Sequence, residues 1–139
     1  MKIKPIEEKN MMEVIDLLDK NLSPFKPDIN EYKKIWNLYS SQTNVYSLVA
    51  IIDKKIIGYG SITIELKIRG GQMGHIEDIV THPQYRRQNI GKAIVSELVT
   101  IAEKKGCYKV ALQCKEHNIQ FYKKCNHEIS GISMQLFIR

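Results

Sequence analysis

The strongest constraint in this sequence is a junction. A β-branched run, His75 to Thr81, passes through a basic loop into the longest apolar stripe of the chain: Ile90, Ala93, Ile94, Leu98, Ile101 and Ala102. The first pattern fits a strand and the second a helix. Lys104, Lys105 and Gly106 close that helix as a C-terminus should. The loop between them carries Arg86, Arg87, Gln88 and Asn89. A helix that opens this way turns unpaired N–H groups and a positive dipole end outward, which suits an anion such as a pyrophosphate. Asn89 tolerates left-handed backbone angles, and Gly91 lets a phosphate approach the chain closely.

The other elements take their places around this unit. Lys2 to Ile6 alternates like an edge strand. Asn10 and Glu13 have capping-box spacing ahead of the helical stripe Met11, Val14, Ile15, Leu18. Ser23-Pro24 and Lys26-Pro27 end that helix. Asp28 and Glu31 repeat the box, and Tyr32, Ile35, Trp36 and Tyr39 form a second stripe expected in the core. Val45 to Ile52 and Ile56 to Glu65 read as a hairpin about Asp53-Lys54-Lys55. Lys67 to Gly74 is a glycine-rich basic loop. Lys109 to Cys114 is a short strand, Asn118 caps a short helix carrying Phe121 and Tyr122, and Ile132 to Ile138 is a final strand. Hairpins favour antiparallel pairing and strand–helix–strand units favour parallel neighbours. The expected fold is therefore α/β: a mixed, mostly antiparallel sheet with helices on both faces, in one domain spanning 1–139.

Composition narrows the function classes. With 43% hydrophobic residues, 139 residues are enough for a real core. No apolar run has the length of a membrane span, and the N-terminus is not of signal-peptide type, so a cytoplasmic protein is expected. The three cysteines, Cys107, Cys114 and Cys125, show no CxxC spacing and read as small buried hydrophobes. The four histidines make no metal-site pattern, so no metal is expected. The net charge of +6 fits either a nucleic acid or a small phosphorylated ligand. Paired aromatic residues on an exposed sheet face would favour RNA, and the dispersed phenylalanines supply none.

Arg86 to Gly91 resembles the pyrophosphate-cradling motif of the GNAT N-acetyltransferases, and the element order matches that superfamily over the whole chain. Three further blocks narrow the resemblance: Gly74-His75-Ile76-Glu77-Asp78-Ile79, Gly106-Cys107-Tyr108-Lys109-Val110, and Asn118 to Cys125. Together they resemble the glucosamine 6-phosphate N-acetyltransferase branch. The resemblance implies a GNAT acyl-CoA N-acyltransferase fold, acetyl-CoA as cosubstrate, glucosamine 6-phosphate as acceptor, a role in UDP-GlcNAc synthesis, and an intertwined homodimer joined in part by the final strand. It implies that the backbone of Ile79, Val80 and Thr81 pairs with the pantetheine arm. Arg86, Arg87, Gln88, Asn89, Ile90, Gly91 and Lys92 hold the pyrophosphate, and Asn118 meets the thiol arm. Tyr122 attends the departing thiolate. Glu77 and Asp78 meet the sugar's hydroxyls and amine, Lys67 and Arg69 its phosphate, and Tyr108 and Lys109 contact substrate partly across the dimer.

Some residues depart from the family pattern. Asn89 replaces the first glycine of the pyrophosphate loop. Gln113, just before Cys114, stands in the catalytic region where the family carries Asp or Glu. An amide accepts no proton, so the proton passes to a backbone carbonyl or to a water held by Glu77. Phe137 falls where the family has an arginine, unless a small gap moves Arg139 there. Adjacent strand residues face opposite ways, so Glu77 and Asp78 share a pocket only at a strand end or bulge. The competing readings are a polyamine or protein-lysine acceptor on the same fold, or a CoA-binding pseudoenzyme.

Overall fold

In a computed structural model, residues 1–138 are described; Arg139, the alternative for the C-terminal arginine, lies outside them. The elements are β1 (Lys2–Pro5), α1 (Met11–Asn21), α2 (Tyr32–Ser40), β2 (Val45–Ile52), β3 (Lys55–Leu66), β4 (Gln72–Thr81), α3 (Ile90–Lys104), β5 (Cys107–Leu112) and α4 (Ile119–Lys124). The strands form one sheet in sequence order. β1 to β4 pair antiparallel, and β5 runs parallel to β4. The mixed sheet follows from its connections: a two-residue turn and a short loop return β3 and β4 antiparallel, α1 and α2 bring the chain back to lay β2 antiparallel to β1, and α3 carries it back for a parallel pairing.

Both faces are covered. Ile90, Ile94, Val95 and Leu98 of α3 pack with Leu48, Ile57, Ile62 and Ile76 on one face. Val14 and Leu17 of α1 pack with Val49, Ile56, Tyr59 and Val80 on the other. The β2–β3 turn is tighter than expected: Asp53 and Lys54 both take positive φ, 49° and 64°, and Lys55 already belongs to β3. Two left-handed residues in a two-residue loop match the twist of the flanking strands.

Several expectations give way. Asn10 does not cap α1. It ends a 3-10 turn, Glu8–Asn10, where its Oδ1 accepts the Glu7 N–H at 2.9 Å. Glu13 reaches the sheet and accepts the Ile56 N–H at 3.2 Å. Asp28 does cap, accepting the Asn30 N–H at 2.9 Å, but in a 3-10 turn that precedes α2. No residue of α2 is fully buried, so the Tyr32–Ile35–Trp36–Tyr39 stripe is a half-covered flank and not core. β4 begins at Gln72, inside the segment read as a loop, because it pairs with the end of β3. β5 sits two residues earlier than expected. None of the three cysteines is fully buried, and Cys114 is exposed.

The largest difference is at the C-terminus. Ile132 to Ile138 is not a strand: the segment pairs with nothing and exposes Ile132, Met134, Leu136, Phe137 and Ile138. An alternating apolar sequence makes a strand only where a neighbouring strand supplies its hydrogen bonds.

One irregularity interrupts the pairing of β3 with β4. Ser61 pairs with Glu77 and Tyr59 with Val80, so the single residue Gly60 faces two, Asp78 and Ile79. This is a β-bulge, and Asp78 takes φ 55° within it. A Cβ at Gly60 would lie 2.5 Å from Ile79 Cδ1 and 2.8 Å from Ile94 Cγ2. Gly60→Val therefore overpacks the bulge against α3. It should cost about 1–3 kcal/mol, seen as a lower urea midpoint at unchanged slope.

Candidate active site

The bulge falls where the sheet opens. The last β4–β5 pair is Ile76↔Leu112, yet β4 continues to Thr81. From Glu77 onward the side of β4 that faced β5 has no strand partner. Gln113, the residue after the last pair on β5, is the counterpart of Glu77 across this opening. The side chain of Val80 is buried with α1 and that of Ile79 packs toward α3. What Ile79, Val80 and Thr81 offer at the opening is their backbone, and an extended ligand arm can bond to it as an added strand would.

The bulge also resolves the geometry of the two adjacent carboxylates. Glu77 lies on the α1 face beside Ser61, whose hydroxyl donates to the Glu77 carbonyl at 3.3 Å. Asp78, turned by its left-handed backbone, also stays solvent-accessible. Burial around the Asp78 carboxyl raises it above the usual carboxylate range. Both carboxylates therefore stand at the opening, as a bulge allows and a regular strand does not.

The α3 N-terminus borders the same opening. Arg87 and Asn89 both take left-handed backbone angles, φ 67° and 61°, and Asn89 makes no side-chain cap bond. The first N–H groups of α3 are left without a capping partner. Arg86, Arg87, Gln88, Asn89 and Lys92 are exposed, and among the described residues neither arginine nor Lys92 pairs with a carboxylate. Backbone donors and unpaired positive charge together form a place that can accept an anion. Ile90 and Gly91 are buried. A Cβ at Gly91 would meet Phe121 Cζ at 3.1 Å and Thr81 Oγ1 at 3.4 Å. Its missing side chain thus seats α4 against α3 and the end of β4, a packing role that spacing alone did not suggest.

α4 brings Tyr122 to the opening. Asn118 ends a 3-10 turn, Glu116–Asn118, and makes no cap bond, so its side chain is not used as a cap. Tyr122 is half-buried, edge-on to Phe121 with centroids 4.9 Å apart. Burial pushes its phenol up to about 12, and the Cys114 and Cys125 thiols add to the shift. Tyr122 thus neighbours Cys114, and with it Gln113 and the end of β5. The α4 C-terminus closes on Asn126, at φ 65°, with His127 N–H donating to the Tyr122 carbonyl at 3.0 Å.

The remaining candidates are elsewhere. Leu66 pairs with Gln72, five residues before Glu77. At about 3.3 Å per residue this sets Lys67 and Arg69 roughly 17 Å from the carboxylates along the hairpin. Lys67 is ion-paired with Glu65 at 3.0 Å, and Glu65 also holds His75 Nε2 at 3.0 Å. Tyr108 and Lys109 share that far end, where a Cβ on Gly71 would lie 2.9 Å from the Tyr108 ring. One chain therefore holds two clusters, an opening with carboxylates and an anion cradle, and a distant basic and aromatic group. Among the described residues no three His, Cys, Asp or Glu side chains gather as a metal site, and no helix is long and apolar enough to cross a membrane. Sequence reading missed the parts played by Gly60, Ser61 and Phe121; a glycine inside a strand pattern is the one available signal, since it marks bulges and close approaches.

Known proteins resemble this chain in sequence and in fold. The Acetyltransferase (GNAT) family pattern matches residues 11–127. The chain is 38% identical over 136 residues to glucosamine 6-phosphate N-acetyltransferase 1 of Dictyostelium discoideum, covering 89% of this chain and 87% of that protein. It is 35% identical over 99 residues to the glucosamine 6-phosphate N-acetyltransferase of Schizosaccharomyces pombe, covering 68% of this chain and 89% of that one. The crystal structure of glucosamine-6-phosphate N-acetyltransferase from Arabidopsis thaliana superposes with a TM-score of 0.90 at 29% identity, over 99% of this chain and 98% of that one.

The raised Tyr122 phenol has a spectroscopic consequence. Between pH 10 and 12 the unfolded chain releases this proton and the folded chain keeps it, so stability falls as pH rises through that window. Comparing tyrosinate absorbance of the wild-type chain and Tyr122→Phe should show the missing group titrating well above the ordinary tyrosine range.

Proposed function

Since the chain belongs to the GNAT acetyltransferase family, we propose that it transfers the acetyl group of acetyl-CoA to the amine of D-glucosamine 6-phosphate. The observation that carries the reading is the parting of β4 from β5 beside the bulge, with the α3 cradle on one side and Tyr122 on the other. The names of the relatives support this acceptor.

Acetyl-CoA supplies an activated thioester. The unpaired backbone of Ile79 to Thr81 holds its pantetheine arm, with Asn118 beside the thiol end. Arg86 to Lys92 hold its pyrophosphate. N–H groups at the bulge polarise the thioester carbonyl. Glu77 and Asp78 bind the acceptor's hydroxyls and amine. A sugar amine has a pKa near 8, by analogy with an α-amino group at roughly 7.7–8.0, so a usable fraction arrives neutral. Orientation then matters more than a strong base. The amine nitrogen bonds to the acetyl carbon, the C–S bond breaks, and the amine proton leaves through water at Glu77. Tyr122, kept protonated near neutrality, donates to the departing sulfur. Gln113 holds that water and accepts no proton itself.

The 6-phosphate raises a question of assembly. Lys67, Arg69, Tyr108 and Lys109 are too far from Glu77 in one chain to share a small sugar with it, so we assign them to the neighbouring site of a homodimer. Two features support the dimer. The tail from Ile129 to Ile138 exposes an apolar face with no strand partner. Beside it, β5, α3, α4 and residues 126–133 line a groove of about 1170 Å³, and the outer edge of β5 is open. A tail exchanged between copies covers both. If the chain acts alone, the same separation favours a non-phosphorylated amine as acceptor.

Thiol release from acetyl-CoA with glucosamine 6-phosphate, glucosamine or spermidine separates these readings. The phosphorylated sugar should be the fastest by at least tenfold. Equal rates with and without the phosphate remove Lys67 and Arg69 from the site, and no release with any amine removes the enzyme reading. Tyr122→Phe should lower kcat more than it weakens acetyl-CoA binding. Sedimentation of the full chain should give a dimer, and deletion of residues 132–139 a monomer. A monomeric full chain rejects the shared site.

A further inference from the structure

One buried polar cluster is not used by the proposed chemistry. On the α1 face of the sheet, the hydroxyls of Tyr39, Ser47 and Tyr59 converge. Ser47 Oγ lies 3.1 Å from Tyr59 Oη, Tyr39 Oη lies 3.4 Å from Tyr59 Oη, and Tyr39 and Ser47 hydrogen-bond directly. Ser47 and Tyr59 are 6% exposed each. Such a cluster is costly to desolvate unless its members satisfy one another, which calls for a reason why the interior is not simply apolar here.

Its position suggests the reason. Tyr39 belongs to the last turn of α2, a helix with no fully buried residue. Its other polar side-chain link to the body is the surface ion pair Lys33–Glu8 at 2.9 Å, a contact that contributes little. The Tyr39 hydroxyl is thus the polar tie that fixes the end of α2 to β2 and β3. Tyr59, its partner on β3, sits beside Gly60 and directly opposite Val80, next to the bulge. On the other side of Gly60, Ser61 donates to the Glu77 carbonyl at 3.3 Å. Hydroxyls therefore hold the sheet on both sides of the one glycine that faces Asp78 and Ile79. Burial, the neighbouring Tyr59 and the Asp78 carboxylate all keep the Tyr39 phenol protonated, so Asp78 lies within electrostatic reach of α2.

We propose that Tyr39 is a positioning residue for the acceptor: clamped between Ser47 and Tyr59, it sets the end of α2 beside the bulge and so shapes the acceptor side of the pocket. It touches neither reacting atom. Its effect falls on acceptor binding and leaves the acetyl-CoA side alone, because the α3 cradle and the open β4 edge are built from other elements. The proposal rests on the acetyltransferase reading for its kinetic consequence, but not for its structural one.

The test is Tyr39→Phe, which keeps the ring packed near Trp36, 6.4 Å away between centroids, and deletes only the hydroxyl. Loss of one such hydrogen bond predicts a rise of about fivefold in KM for glucosamine 6-phosphate, with KM for acetyl-CoA within about twofold of the starting value. Ser47→Ala should give the same split, and the double variant should be no worse than the stronger single one, since the hydroxyls act as a unit. An unchanged acceptor KM, an equal rise in both KM values, or additive single effects overturns the proposal. Hydrogen exchange reads the tie without turnover. In Tyr39→Phe, amides of α2 and of 77–78 should exchange faster while those of 79–81 and of α3 do not; unchanged exchange in α2 also overturns it. Failure of the unaltered chain to acetylate the sugar would instead reject the function and leave the exchange result to decide on the tie.

Discussion

The bulge at Asp78–Ile79 is the constraint on which the site depends. One extra residue in β4, opposite Gly60, turns two adjacent carboxylates toward a shared opening. A regular strand would send them to opposite faces. It also bends β4 just past the point where β5 stops following it. The missing Cβ of Gly60 allows Ile79 and Ile94 to close beneath the kink. The unpaired stretch of β4 is thus held rigid by packing from below while its free edge stays available above. An exposed strand edge is normally a liability; here it is short and lies beside the two carboxylates.

The second constraint is the seating of α3. Left-handed residues at Arg87 and Asn89 turn the chain so that the helix begins without a side-chain cap. Such angles cost a non-glycine residue some strain, and they leave the first donors of α3 unsatisfied. Gly91 lets Phe121 and Thr81 come in close behind the first turn. The cradle, the end of β4 and α4 with Tyr122 are therefore one packed unit, so a change at Gly91 reaches both the anion cradle and the phenol.

Much of this is legible along the chain. The strand–loop–helix junction, the hairpin, α1 and α3 follow from periodicity and turn chemistry, which are local. Their order shows a mixed sheet covered on both faces, and the motif blocks lead to the GNAT family. The errors arise where a residue's state depends on a distant neighbour. Asn10 bonds backward to Glu7 because a 3-10 turn precedes α1. The α2 stripe stays half-covered because the sheet beneath it is already occupied by α1. The tail sequence alternates like a strand, but no strand of this chain lies alongside it.

The amino-acid sequence by itself determines the element order, the core periodicity, the positive excess of six charges and the chemical identity of the groups at the site. Tertiary structure alone decides which groups meet. Glu77 and Gln113 stand across the gap where β4 and β5 part and Tyr122 lies by Cys114 next to it, whereas Lys67 and Arg69, close to Glu77 in sequence, end at the other side of a long hairpin. The physical reason is that side-chain period and capping are set by neighbours a few residues away. Register, bulges and the parting of strands are set by packing between segments that the chain holds far apart.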